Sequence, residues 1–254
     1  MYKTQQITNI LAFIFMIVMN TLANALPLGG KDTGELSDLY PNLFVPTGLT
    51  FSIWGLIYLW LIGFIIYQAQ GLFSSTKPAP PMHERLGYLF VANGIFNGAW
   101  IFVWHYQIVF LSLLVMLGIL GTLILIIIKL DVGRRAVSTG EKWLVHAPFT
   151  IYLGWISIAT IANVTTVLVN SGYDGTPFGE VNWTIIMLAV GTILTILVLF
   201  SRNLVLFGLV VIWAYVGIIL KQNGIHPPIV TAAGIGIGII TIVSILRLRK
   251  WLNV

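Results

Sequence analysis

The sequence predicts an all-α polytopic membrane protein of about eight transmembrane helices, and three observations predict it. Hydrophobic residues fill 58% of the 254 positions while charged residues fill only 8%, giving a mean hydropathy of +0.96. Apolar runs near the ~20 residues that cross a bilayer can be drawn over 7–26, 47–67, 86–105, 107–129, 143–169, 183–200, 203–220 and 228–246. No Asp, Glu, Lys or Arg lies well inside any run. The runs follow one another closely, which leaves no room for a separate soluble domain.

The first run follows Lys3 and ends at Ala23-Asn24-Ala25, a pattern shared with secretory signal peptides. Its apolar stretch is longer than a signal segment needs, so a retained helix is expected. The loop 27–46 carries Gly29, Gly30, Lys31, Asp32, Glu35, Asp38, Pro41 and Pro46, punctuated by Leu39, Tyr40, Leu43 and Phe44. Those apolar residues make it a flap rather than a linker. The second run holds Trp54 and Tyr58, and a Ser/Pro-rich connection, Ser74 to Pro81, leads to the third. The third run holds Asn93, Asn97 and Trp100, with Gly94 and Gly98 at the small-xxx-small spacing that packs helices closely. That pair suits a homodimer or an internal neighbour equally.

The fourth run is uniformly apolar, and a basic loop, 130–142, precedes the fifth, in which Trp155, Ala159 and Asn163 recur every fourth residue. Turn residues Gly172, Asp174, Gly175 and Pro177 follow. After 182 the runs become richer in Ile, Leu, Val and Gly. Ser201-Arg202-Asn203 predicts a tight hairpin between the sixth and seventh, and Gly234 and Gly238 offer the eighth a close-packing face. This change of character divides the chain into a five-helix bundle, 1–170, and a three-helix extension, 171–254.

The basic residues are a topology signal. With the N-terminus inside, eleven fall on the cytoplasmic side and only Lys31 and Lys221 outside. The expected setting is a bacterial or archaeal plasma membrane with both termini cytoplasmic and the lipid bilayer as partner. Dispersion of the +5 charge over several loops argues against nucleic acid. Cysteine is absent, which removes disulfides and thiolate chemistry. His83, His105, His146 and His226 show no i,i+3 or i,i+4 pairing, so no metal site is expected. No nucleophile–base arrangement, phosphate loop or intramembrane carboxylate appears, and no catalytic residue is assigned.

Three runs each carry an aromatic and polar stripe at helical spacing: Trp54 and Tyr58; Asn93, Asn97 and Trp100; Trp155 and Ala159. A polar group in hydrocarbon costs several kcal/mol, of order 2–7, unless something satisfies it. The stripes therefore face the bundle interior. If they converge they enclose a flat-walled, mostly apolar pocket suited to a planar hydrophobic ligand. Taken singly, each Asn and Trp is better explained as interhelical glue or an interfacial anchor than as a ligand contact. Trp60, Trp104, Trp143, Trp183 and Trp251 lie near run ends and read as interfacial belt residues.

These stripes carry a resemblance to the TspO/MBR family, the tryptophan-rich sensory or translocator proteins. Trp155-Ile-Ser-Ile-Ala-Thr-Ile-Ala-Asn163 is similar to that family's fifth-helix motif. Phe44, Pro46, Gly48, Trp54 and Tyr58 take the places of its second-helix motif, and Asn93, Asn97 and Trp100 match the third-helix motif loosely. The second-helix spacing is one residue short, Thr47 replaces a proline, and Pro148 is displaced relative to Trp155. The resemblance spans about 7–170. It implies a five-helix bundle binding porphyrin, haem or sterol-like molecules, with Trp54, Tyr58, Asn93, Asn97, Trp100, Trp155 and Ala159 at the ligand, and Phe44 and Pro46 at the lid or cavity mouth. No cofactor is required, and a tetrapyrrole enters only as a ligand. The alternatives are porphyrin degradation through a Trp54–Trp155 pair, and a transporter or subunit of a larger membrane assembly.

Overall fold

The computed structural model describes residues 2–24, 30–72 and 79–253. Ala25 of the signal-like pattern, Gly29 of the flap and Ser74 to Pro78 of the Pro-rich connection lie outside the described residues. The helices are α1 (Lys3–Asn24), α2 (Thr33–Asp38), α3 (Ile53–Gln68, entered through a 3-10 turn at Gly48–Ser52), α4 (Met82–Leu86), α5 (Leu89–His105) and α6 (Val109–Lys129). After the short α7 (Thr139–Glu141) and a π-helical turn (Lys142–His146) come α8 (Ala147–Asn170), α9 (Gly179–Arg202), α10 (Val205–Gln222) and α11 (Pro227–Asn253). No strand occurs among the described residues.

Among the described residues seven helices are long and apolar enough to cross a membrane, and α5 is a shorter apolar one. The chain is an integral membrane protein. The third apolar run is shorter than the sequence suggests because Gly87, at φ +55°, breaks the helix between α4 and α5. The tight hairpin between α9 and α10 forms as expected: Asn203 adopts the left-handed conformation that ends α9.

Five helices close a ring, in which α1 packs on α5, α5 on α6, α6 on α8, α8 on α3, and α3 on α1. Helix α8 is the most buried candidate span. Its other face takes α10, which in turn packs on α9 and α11. Gly154 makes that contact close, since a Cβ there would stand 3.0 Å from Val210 Cβ and 3.2 Å from the Phe207 carbonyl oxygen. The basic ends meet at one side of the bundle: Arg134 donates to the Ser201 carbonyl, Lys142 to the carbonyls of Trp251 and Leu252, and Arg247 to that of Leu199.

The two small-residue stripes turn out differently, and the second needs correction. Gly94 faces Ala12 and Gly98 faces Phe15, both on α1. Of the two readings that this spacing allowed, the structure uses it for an internal crossing. On α11 the close approach belongs to Gly236, whose Cβ position lies 2.8 Å from the Tyr215 ring, whereas Gly234 and Gly238 have nothing within 4 Å. Glycine at every second position allowed either helix face. Tyr215 and Thr192 select the one centred on Gly236.

Candidate functional site

The ring encloses a cavity of about 50 Å³. Trp54 enters it from α3, Trp100 and Trp104 from α5, Met116 from α6, and Trp155, Ile158, Ala159, Ala162, Asn163 and Thr166 from α8. Thr33 and Ser37 of α2, with Val45 and Pro46 of the following segment, cover it, and Phe51 closes its side. No charged side chain lines it. Helical geometry explains the α8 contribution, because residues three and four apart share a face.

The aromatic rings form a connected wall. Phe51 stands edge-on to Trp155 at 5.7 Å, and Trp54 stands edge-on to Trp155 at 6.3 Å. Trp100 and Trp104 stack at 5.5 Å, and the Trp104 indole N–H donates to the Thr33 carbonyl across 3.4 Å. Trp100 and Trp155 differ. They are 6% and 3% exposed, and their indole nitrogens are buried with no hydrogen-bond partner. An unmade bond at a buried donor costs about 1–3 kcal/mol, so two residues of the cavity wall each carry an unmet donor.

Beside this cavity lies an open groove of about 630 Å³ between α1, α2 and α3. It shares Thr33, Phe51 and Trp54 with the cavity. Ile17 and Asn20 form one wall, Trp54 and Tyr58 the other, and Asp32, Glu35 and Asp38 the rim. The Trp54 and Tyr58 rings stack at 5.5 Å.

The expected stripes converge in part. Trp54, Trp100, Trp155, Ala159 and Pro46 reach the cavity wall. Tyr58 lies in the groove, where its hydroxyl faces the Asn97 and Asn20 side chains. Asn93 does not reach the cavity: it donates to Thr122 Oγ1 at 2.9 Å and to the Ile119 carbonyl, tying α5 to α6. Asn97 donates to the Tyr152 hydroxyl at 2.7 Å and accepts from Asn20 at 2.9 Å, joining α1, α5 and α8. Phe44 is fully buried in the core rather than at the mouth. Asn163 is on the wall and also donates to Ser112 at 3.1 Å.

Trp104 is corrected from belt residue to wall residue, being 5% exposed. Its i,i+4 spacing from Trp100 was the available signal. Phe51, three residues before Trp54, carried the same signal in weaker form. Nothing in the sequence marked Met116, whereas the Asp32–Glu35 spacing of a capping box was the signal for α2. Among the described residues no cluster of three metal-ligating side chains occurs.

A family model described as TSPO-like protein matches residues 6–246, running through all eight apolar helices. No curated protein and no solved structure matches the chain.

Proposed function

The chain belongs to the TSPO-like protein family, and we propose that it binds a planar, largely apolar molecule bearing a hydrogen-bond acceptor in the aromatic cavity, with sensing or translocation as the outcome of binding. The observation that carries this reading is the pair of unpartnered indole donors, Trp100 and Trp155, on an uncharged wall. A ligand acceptor that reaches either N–H satisfies a donor that the protein leaves unmet. Tetrapyrroles and sterol-like molecules are the ligands the family resemblance suggests.

The cavity of about 50 Å³ is smaller than the ~300–1,000 Å³ usual for ligand sites. Binding therefore requires the wall shared with the groove to move, and Phe51 and Trp54 are the rings that must do so. Saturable quenching of tryptophan fluorescence by protoporphyrin tests the reading. Trp155→Phe should weaken affinity about tenfold, the equivalent of one buried hydrogen bond of about 1.4 kcal/mol. Quenching that never saturates, or that ignores the substitution, would count against it.

A further inference from the structure

The groove beside the cavity adds a charge preference to this site. Its rim carries three carboxylates, Asp32, Glu35 and Asp38, and no basic side chain lines it. Lys221 pairs with Asp38 at 2.7 Å, and among the described residues neither Asp32 nor Glu35 has an ion-pair partner. Both are fixed in place by α2. Asp32 caps the helix by accepting from the Gly34 and Glu35 backbone N–H groups, and the Glu35 carboxylate accepts from the Asp32 N–H in return. The three carboxylates do not converge as a metal-ligating group.

Below the rim stand the stacked rings of Trp54 and Tyr58. An aromatic face attracts a cation through its quadrupole, and carboxylates above it add to that field. An organic cation is the species that both features favour. Behind the Phe51–Trp54 partition wait the two buried indole donors of Trp100 and Trp155, 6% and 3% exposed and without partners. They call for a neutral or acceptor-bearing apolar body, not a second cationic end.

We propose that cavity and groove form one site for a cationic amphiphile. Its flat apolar body occupies the tryptophan cavity, and its amine or quaternary ammonium rests between the Trp54–Tyr58 stack and the Asp32–Glu35 rim. The inference rests on the proposed ligand-binding role of the cavity. It adds that the ligand's charged end is positive, so that a dicarboxylate porphyrin is a disfavoured form of an otherwise suitable body.

One macrocycle in three charge states tests this. Protoporphyrin IX, its neutral dimethyl ester, and its bis-amide with a trimethylammonium-bearing amine are titrated against the full chain in an uncharged detergent at low ionic strength. The expected order of affinity is cation, ester, then anion, with about tenfold between the extremes, narrowing as salt rises. The double variant Asp32→Asn with Glu35→Gln keeps both capping groups while removing both charges. It should collapse the spread between the charge states to about twofold or less, with the ester unchanged.

If all three probes fail to bind saturably, the ligand-binding reading falls, and this inference falls with it. If they bind with the anion equal to or tighter than the cation, or if the double variant preserves the order, the charge assignment alone is overturned.

Discussion

At the scale of single residues, Asn93 and Trp155 occupy stripes of the same kind yet do opposite work. Asn93 is fully buried and spends its amide N–H groups on Thr122 and the Ile119 carbonyl, while its Oδ1 stays unpartnered. Trp155 is equally enclosed and leaves its N–H unspent. This divides two substitutions. Asn93→Ala removes an interhelical hydrogen bond and should lower stability by about 0.6–1.7 kcal/mol, leaving probe affinity in the cavity unchanged. Trp155→Phe removes an unpaired donor along with one of the two fused rings, so affinity should fall further than its loss of thermal midpoint accounts for. Thermal unfolding followed beside quenching separates them. An affinity loss in Asn93→Ala without destabilisation would overturn the assignment of that side chain to helix packing. The sequence supplied both residues with the correct spacing, but spacing fixes only which residues share a face. Which neighbour that face meets is a tertiary fact, and it decides between a spent and an unspent polar group.

At the scale of elements, apolar length was legible because hydrocarbon enforces it: a helix that must satisfy its own backbone in lipid needs an uninterrupted run. The short elements were not. Helix α2, six residues from Thr33 to Asp38, has no membrane to fix its length, and its docking over Trp104 depends on contacts that no periodicity encodes. Helix α4 shows what such elements contribute. Its His83 ring donates through Nε2–H to the Gln68 carbonyl, 2.9 Å away, and stacks on Tyr2 at 5.5 Å. Gln5 donates to the His83 and Gly87 carbonyls, so α1, α3 and α4 are knotted together. Burial lowers the His83 pKa below its usual value of 6.5, opposed by the hydrogen bond to Gln68, and Nδ1 has no partner to receive a second proton's bond.

The sign of the pH effect follows. Folding holds His83 neutral, while the unfolded chain takes up a proton near pH 6.5. Below that pH the unfolded state binds more protons, so stability is full above it and declines as pH falls. The thermal midpoint should therefore drop between pH 7.5 and 5.5, and His83→Gln should flatten that slope. An unaltered slope in the variant would assign the pH dependence elsewhere.

At the scale of the whole molecule, the division expected at 170/171 coincides with the C-terminal end of α8, and the helices after it do more than cover α8. Helix α10 holds the segment that roofs the cavity. The Gly217 carbonyl accepts from the Thr47 N–H at 3.2 Å, Gln222 donates to the Leu43 carbonyl at 3.0 Å, and the Trp213 indole donates to the Thr50 carbonyl at 3.0 Å. Lys221 adds its ion pair to Asp38. Pro46 sits within this fastened stretch and on the cavity wall, and the stretch leads directly into Phe51, so α10 should restrain the wall that the proposed binding requires to move. Gln222 is 3% exposed, and replacing it with Met keeps its bulk while orphaning the Leu43 carbonyl. One hydrogen bond is worth about 1 kcal/mol, so local opening of residues 43–50 should become about fivefold more frequent. Amide exchange there should quicken by that factor while exchange in α6 and α8 stays as it was. Probe association and dissociation should both accelerate, leaving affinity nearly constant, because loosening the roof lowers the barrier to entry and exit alike. Exchange that quickens across the whole bundle would mean that Gln222 supports general stability rather than the roof of the site.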